Sequence, residues 1–194
     1  MSNKYWFYAI IALVAIFIIS GINSIPSLEE SVTASWSQVE NQYQRRADLI
    51  PNLVATVKGY AAHEKDTLQA VVDARANATK VTINAASLSD PEAMQKFEEA
   101  QSKVTSSLSR LLAVSENYPN LKANENFIAL QSQLEGTENR ITVARMDYIK
   151  TVQVYNTKIR TFPGFIWAKL YDAKPKANFK ATTQNADQVP NVKF

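Results

Sequence analysis

A seven-residue repeat of apolar side chains runs through the second half of the chain. Its members are Phe127, Leu134, Ile141, Tyr148, Tyr155 and Phe162. This spacing is typical of a long helix that is buried along one side. Asn124 is a suitable N-cap, and Phe162-Pro163-Gly164 stops the pattern. We therefore predict a helix from about Asn124 to Thr161, roughly 57 Å long, which needs partners of similar length to cover its stripe.

The same repeat occurs nearer the N-terminus. It comprises Trp36, Tyr43, Ile50, Val57, Val71 and Ala78. We predict one long helix from about Leu28 to about Ala85, kinked near Asp48 to Pro51 because an interior proline removes a backbone hydrogen bond. Two helices in the same line are the alternative.

A further helix is predicted between these two. Asp90 is its N-cap and Pro91 its first residue, and it ends before Pro119. The pattern as a whole predicts an all-α fold, an antiparallel bundle of three to four long helices with a short C-terminal helix and an extended tail. Since the first helix would be about twice as long as the second, part of its stripe would stay uncovered, which favours self-association.

An uncharged stretch of eighteen residues precedes the bundle, from Tyr5 to Ile22. It spans about 27 Å as a helix, close to the thickness of a bilayer core. We predict a single transmembrane anchor in residues 1–25, a bundle in 26–171 and a basic tail in 172–194. A cleaved signal peptide is the alternative, although no A-x-A site follows Ile22.

The charges that flank the anchor predict its orientation. Lys4 precedes the anchor, and Glu29 and Glu30 are the first charges after it. The positive-inside rule then places the protein in the inner (cytoplasmic) membrane with the bundle on the periplasmic, or extracytoplasmic, side. Arg45 and Arg46 favour the opposite orientation weakly.

Charge and composition narrow the chemistry. Residues 23–162 carry 15 Lys or Arg against 16 Asp or Glu, so a nucleic-acid partner is not expected. There is no cysteine, and the single histidine, His63, starts no H-E-x-x-H motif because Thr67 stands four residues later. We expect no catalytic residue, no metal and no cofactor, and hence no enzyme.

Charged residues on or beside the apolar stripes form a second group of candidates. Buried charges must be paired, so we expect them to form a structural polar network that fixes helix register, with a partner-binding pocket as the alternative. The predicted members are Arg46, Asp48, Glu64, Glu138 and Arg145. A possible interface is formed by Phe165, Trp167, Leu170 and Tyr171, which either cap the bundle or meet a partner or the bilayer surface.

Several blocks resemble the LemA family. The most specific are Arg45-Arg46-Ala47-Asp48-Leu49-Ile50-Pro51-Asn52-Leu53-Val54, Leu134-Glu135-Gly136-Thr137-Glu138-Asn139-Arg140-Ile141 and the closing Val192-Lys193-Phe194. One departure is Ile149, where the family typically has Asn. The resemblance implies a membrane-tethered, usually bacterial helical bundle without established enzymatic activity. It also implies links to membrane zinc metalloproteases and, in one branch, to the building of internal membrane compartments.

These observations lead to two hypotheses about function. The first is a membrane scaffold that assembles with copies of itself at the bacterial membrane, with lipid and its own copies as partners. The second is an adaptor or regulatory subunit of a membrane enzyme such as a zinc metalloprotease.

Overall fold

The computed structural model describes residues 2–180, with side chains from Lys4 onward. The predicted tail beyond Lys180, including Val192 and Phe194, lies outside the described residues. The regular structure of residues 2–180 is helical, which confirms the all-α class. The helices are α1 (Ser2–Tyr60), α2 (Lys65–Ala78), α3 (Pro91–Ser115), α4 (Pro119–Lys122), α5 (Glu125–Arg160) and α6 (Gly164–Leu170), with a 3-10 turn at Ala86–Ser89.

Helix α1 joins the apolar stretch to the bundle without a break. It has 59 residues and continues through Pro26 and Pro51. Its first part is long and apolar enough to cross a membrane, and the side chains there lie exposed. From Ile25 onward one side of the same helix is buried. We call the apolar part of α1, residues 5–22, the apolar rod. The boundary between the apolar rod and the folded bundle therefore falls within a single helix.

The predicted continuation of this helix to Ala85 is wrong. The chain turns at residues 61–64, and α2 runs back along α1. Arg75 Nε donates to the Ala47 carbonyl at 2.7 Å, and Trp36 Nε1 donates to the Ile83 carbonyl at 3.3 Å. Later residues thus meet earlier positions of α1, which defines an antiparallel hairpin and also excludes two helices in one line. The one gap in the repeat, Glu64 between Val57 and Val71, falls in this turn, but the stripe itself reports burial and not direction.

The two other predicted helix starts are confirmed. Asp90 accepts hydrogen bonds from the amides of Glu92 and Ala93 at 2.9 and 3.3 Å. Asn124 accepts one from the Phe127 amide at 3.0 Å. These side chains satisfy amides that the first helical turn leaves free, so they fix where α3 and α5 begin.

Helices α1, α2, α3 and α5 form an up-down-up-down bundle. Helix α5 runs against α1, since Glu138 meets Arg46 and Asn124 meets Tyr60. The α1 stripe is buried from Val32 to Val57. The uncovered surplus expected on the first helix is therefore absent from the described residues, because α2 and α5 cover it. The length of the first helix therefore gives no reason to expect self-association.

The segment from Ala173 to Lys180 has no regular secondary structure, and it packs into the bundle. Tyr148 Oη donates to the Ala177 carbonyl at 2.9 Å, and the Ala177 amide donates to the Leu88 carbonyl at 2.7 Å. The Asn156 side chain pairs with both backbone groups of Lys176 at 2.9 Å. The segment thus packs across α5 and covers the end of the core nearer the apolar rod.

Candidate functional site

A buried arginine organises the middle of the bundle. Arg46 lies on the buried stripe of α1 and is only 2% exposed. Its Nη1 donates to Glu138 at 2.8 Å and to Thr105 at 2.9 Å, and its Nη2 donates to the Gln101 side chain at 2.7 Å and backbone carbonyl at 3.2 Å. The guanidinium therefore connects three helices, α1, α3 and α5, through four acceptors.

The position of this arginine divides the apolar core in two. Nearer the apolar rod, the core is rich in aromatic side chains, and Trp36 packs edge-on against Phe97 and Tyr148 with ring centroids 5.2 Å apart. Beyond Arg46 the core is mainly aliphatic, with Ile50 and Leu134 among its members. A shift of any one helix by a turn would move a desolvated charge away from its acceptors, so this layer opposes other registers.

A second polar contact ties the tail segment to the bundle. The Glu98 side chain is 4% exposed and accepts from Arg145 Nη2 at 3.2 Å. Both Glu98 oxygens also accept from the Lys180 amide, at 3.2 and 3.3 Å. Burial raises the pKa of Glu98, while the Lys180 amide and the Arg145 charge act in the opposite direction. The Arg145 guanidinium stacks over the Phe179 ring, 4.1 Å from its centroid.

The structure brings together only some of the five charged residues predicted as a network. Arg46 and Glu138 pair directly, whereas Arg145 pairs with Glu98 instead. Asp48 lies on the exposed side of α1 and accepts a hydrogen bond from the side-chain amide of Gln44 at 2.8 Å. Glu64 lies at the far end of the bundle and accepts from Tyr118 Oη at 2.8 Å.

Sequence reasoning missed three partners in these contacts, Glu98, Gln101 and Thr105. Helical spacing places Glu98 four residues after Met94, beside the apolar stripe, and Glu99 on the opposite side, so the pattern could have singled out Glu98. Its contact with the tail segment, from 82 residues away, could not be predicted from local spacing. His63 is exposed in the turn after α1, and the described residues include no group of three metal-ligating side chains.

A groove runs along the bundle between α3 and α5. Its half nearer the apolar rod has a volume of about 420 Å³ and a polar lining that includes Glu98, Arg145 and Arg46. The other half has a volume of about 400 Å³ and is lined by Leu108, Leu112 and Leu134 among others. The two halves share Thr105 and Glu138, so the groove is continuous across the polar layer.

The aromatic residues predicted as a possible interface lie at the end of the bundle nearer the apolar rod. Trp167 is half-buried against Gly21 of α1. Phe165, Leu170 and Tyr171 are exposed. The four residues therefore divide into one that contacts α1 and three that face outward.

Replacing Arg46 tests the polar layer. Arg46→Ala leaves Gln101, Thr105 and Glu138 without their shared donor, and we expect it to lower the free energy of unfolding by about 2 to 3 kcal/mol, since Glu138 is partly solvated. The matched control is Arg45→Ala on the exposed side of the same helix, with an expected change within about 0.5 kcal/mol. Denaturant unfolding of the full chain in detergent, followed by circular dichroism, measures both. Equal losses would refute the assigned role.

Glu98 predicts a specific pH dependence. Because the raised pKa means that the folded protein holds this proton more tightly than the unfolded chain, the Glu98 contribution to stability is largest below its ordinary pKa of 4.5 and falls as the pH rises through its folded-state pKa. Glu98→Gln should therefore lose stability less steeply than the parent above pH 4.5. Glu99→Gln, at the exposed neighbouring position, should follow the parent. Parallel melting-temperature profiles for all three proteins would contradict the prediction.

The sequence has recognisable relatives. The LemA family model matches residues 35–194. Two proteins of Paramagnetospirillum magneticum, magnetosome proteins MamQ 1 and MamQ 2, are each 25% identical to the chain over 177 residues. Each alignment covers 79% of this chain and 65% of the relative, so the chain spans just under two thirds of their length. Together with the apolar part of α1, the family match indicates a membrane-associated helical protein. The chain belongs to the LemA family.

Proposed function

We propose that this protein is a membrane scaffold, a single-pass bundle that assembles with copies of itself and has no catalysis of its own. The observation that carries the proposal is the continuity of α1 from the apolar stretch to Tyr60. A helix transmits orientation along its length, whereas a flexible linker does not. A bundle built on such a helix keeps a fixed orientation relative to its apolar part, so every copy rises from the bilayer in the same way.

The outer face of α5 offers a surface for assembly. Ile128, Val143, Met146 and Val154 are all about half exposed. At 100° per residue they fall on one side of α5, in a sector of about 80° that also carries the exposed polar residues Ser132, Asn139 and Lys150. We call this side the α5 stripe. Single exposed apolar residues are ordinary, but an aligned set is more typical of an interface. The stripe supports self-association on grounds other than the length of the first helix.

The groove between α3 and α5 favours a second candidate function. Its apolar half, with Leu108, Leu112 and Leu134, has the chemistry of a site for an amphipathic helix or a peptide of a partner. In that case the protein is an adaptor or regulatory subunit of a membrane enzyme, such as a zinc metalloprotease. The scaffold has the stronger support, because α1 fixes the geometry of the whole molecule.

Location and relatives fit the scaffold proposal. We place the protein in the cytoplasmic membrane with the bundle on the extracytoplasmic side, because Lys4 precedes the span and no Lys or Arg follows it before Arg45. Two relatives are magnetosome proteins by name. That name states no reaction, which is compatible with the proposal.

Charge placed on the α5 stripe tests the scaffold. Val143→Asp puts a carboxylate in the centre of the stripe, and we expect it to weaken self-association at least about tenfold, since a desolvated, unpaired charge is costly. Gln133→Asp, exposed on another side of α5, is the matched control and should leave association unchanged. Mass measurement of the detergent-solubilised full chain over a range of concentrations provides the readout. A parent protein that stays monomeric throughout would contradict the scaffold and favour the adaptor.

A further inference from the structure

The turn after α5 exposes an unusual amount of apolar surface. We call residues 162–171, which include α6, the elbow. Phe162 is 75% exposed and Leu170 is 67% exposed, and Phe165, Ile166 and Tyr171 are each almost half exposed. Within α6 the exposed apolar residues occupy one side, while Gly164 and Ala168 face the bundle. Folding of the described residues therefore leaves this side of α6 without a protein partner.

The elbow lies at the same level as the end of the apolar stretch of α1. The Trp167 ring packs so closely on Gly21 that an added Cβ at Gly21 would lie within 2.2 Å of Trp167 Nε1. Any larger residue at position 21 would displace the ring. Gly21 belongs to the uncharged stretch, whose first following charge is Glu29. The exposed apolar side chains are thus held beside the point where α1 passes from its apolar part into the bundle.

The charges around the elbow suit a phospholipid surface. Between residues 158 and 172 the chain carries Lys158, Arg160 and Lys169 against a single acid, Asp172. Arg160 and Lys169 are exposed, so their charges are free to reach lipid headgroups. Apolar and aromatic side chains flanked by cations are the usual composition of segments that lie in the interfacial layer of an anionic bilayer.

We propose that the elbow is a second membrane contact, with Phe162, Phe165, Ile166 and Leu170 inserted into the interfacial layer of the leaflet from which α1 emerges. This inference rests on the proposed function, since it requires α1 to be the anchor. Two membrane contacts fix the rotational orientation of the bundle, whereas a single helix leaves the bundle free to rotate about the anchor axis. The elbow fixes which face of the bundle points toward the membrane and which faces point toward neighbouring copies.

Spin labels on the full chain test the elbow directly. Because the sequence contains no cysteine, Phe165→Cys and Leu170→Cys each give a single labelling site. Val72→Cys is the matched control, since Val72 is 42% exposed on α2 and lies outside the proposed assembly surface. It stands one turn from Arg75, which contacts Ala47, and Ala47 is 26 residues or about 39 Å along α1 from Gly21. Leu13→Cys marks the apolar stretch. All four proteins are placed in phosphatidylcholine–phosphatidylglycerol vesicles, and collisions of the label with oxygen and with a water-soluble nickel chelate are measured.

The expected result is that the labels at Phe165 and Leu170 resemble the label at Leu13. They should collide with oxygen at least several-fold more, relative to the nickel chelate, than the label at Val72. Frequent collisions with the nickel chelate at the elbow would mean that it faces water and would overturn the proposal. Low collision rates with both reagents would mean that protein covers the elbow, which also overturns it. If the label at Leu13 itself collides with the nickel chelate, the membrane anchor fails, and that result is distinct from failure of the elbow.

Discussion

The rest of the structure depends on one continuous helix whose two parts have different surfaces. In a bilayer, backbone amides and carbonyls must be satisfied within the segment, so the chain has to cross as a helix. Here α1 does not end where the apolar stretch ends but supplies the first helix of the bundle as far as Tyr60. Its apolar part is exposed on all sides, whereas its later part buries one stripe and exposes the rest. The bundle is therefore an extension of the apolar helix and is not joined to it by a linker.

Within the bundle, one buried cation specifies which helices meet at which level. The apolar layers on either side of Arg46 supply most of the burial, but apolar contacts tolerate alternative registers. The Arg46 guanidinium permits few other helix registers, because its hydrogen-bond acceptors on α3 and α5 must lie at fixed positions around a planar group. Nearer the apolar rod, Glu98 restricts helix register in the same way through Arg145. Its contact with the Lys180 amide also fixes the tail segment to the bundle. Stability and specificity thus come from different residues.

The sequence predicted the features that depend on local chemistry. The caps at Asp90 and Asn124, the apolar helix and the buried stripe of α5 as far as Tyr155 follow from residue type and spacing, and the structure confirms them. The inclusion of Phe162 in that stripe is wrong, because α5 ends at Arg160 and Phe162 is 75% exposed. The hairpin between α1 and α2 could not be predicted in this way, because the same stripe suits a straight helix and a folded one. The packing of Phe179 against Trp36 and Tyr148 joins residues that are distant in the chain, and no local pattern marks it.

The central claim is that anchor and bundle form one rigid rod, and a distance along α1 tests it most directly. Leu13→Cys and Ser37→Cys place two spin labels on exposed positions, one in the apolar stretch and one in the bundle. In a continuous helix the 24 intervening steps separate the two sites by about 36 Å. Pulsed electron paramagnetic resonance on the full chain in vesicles should give a single narrow distribution near that distance. A broad distribution, or a substantially shorter mean distance, would show a hinge between anchor and bundle and would contradict the account.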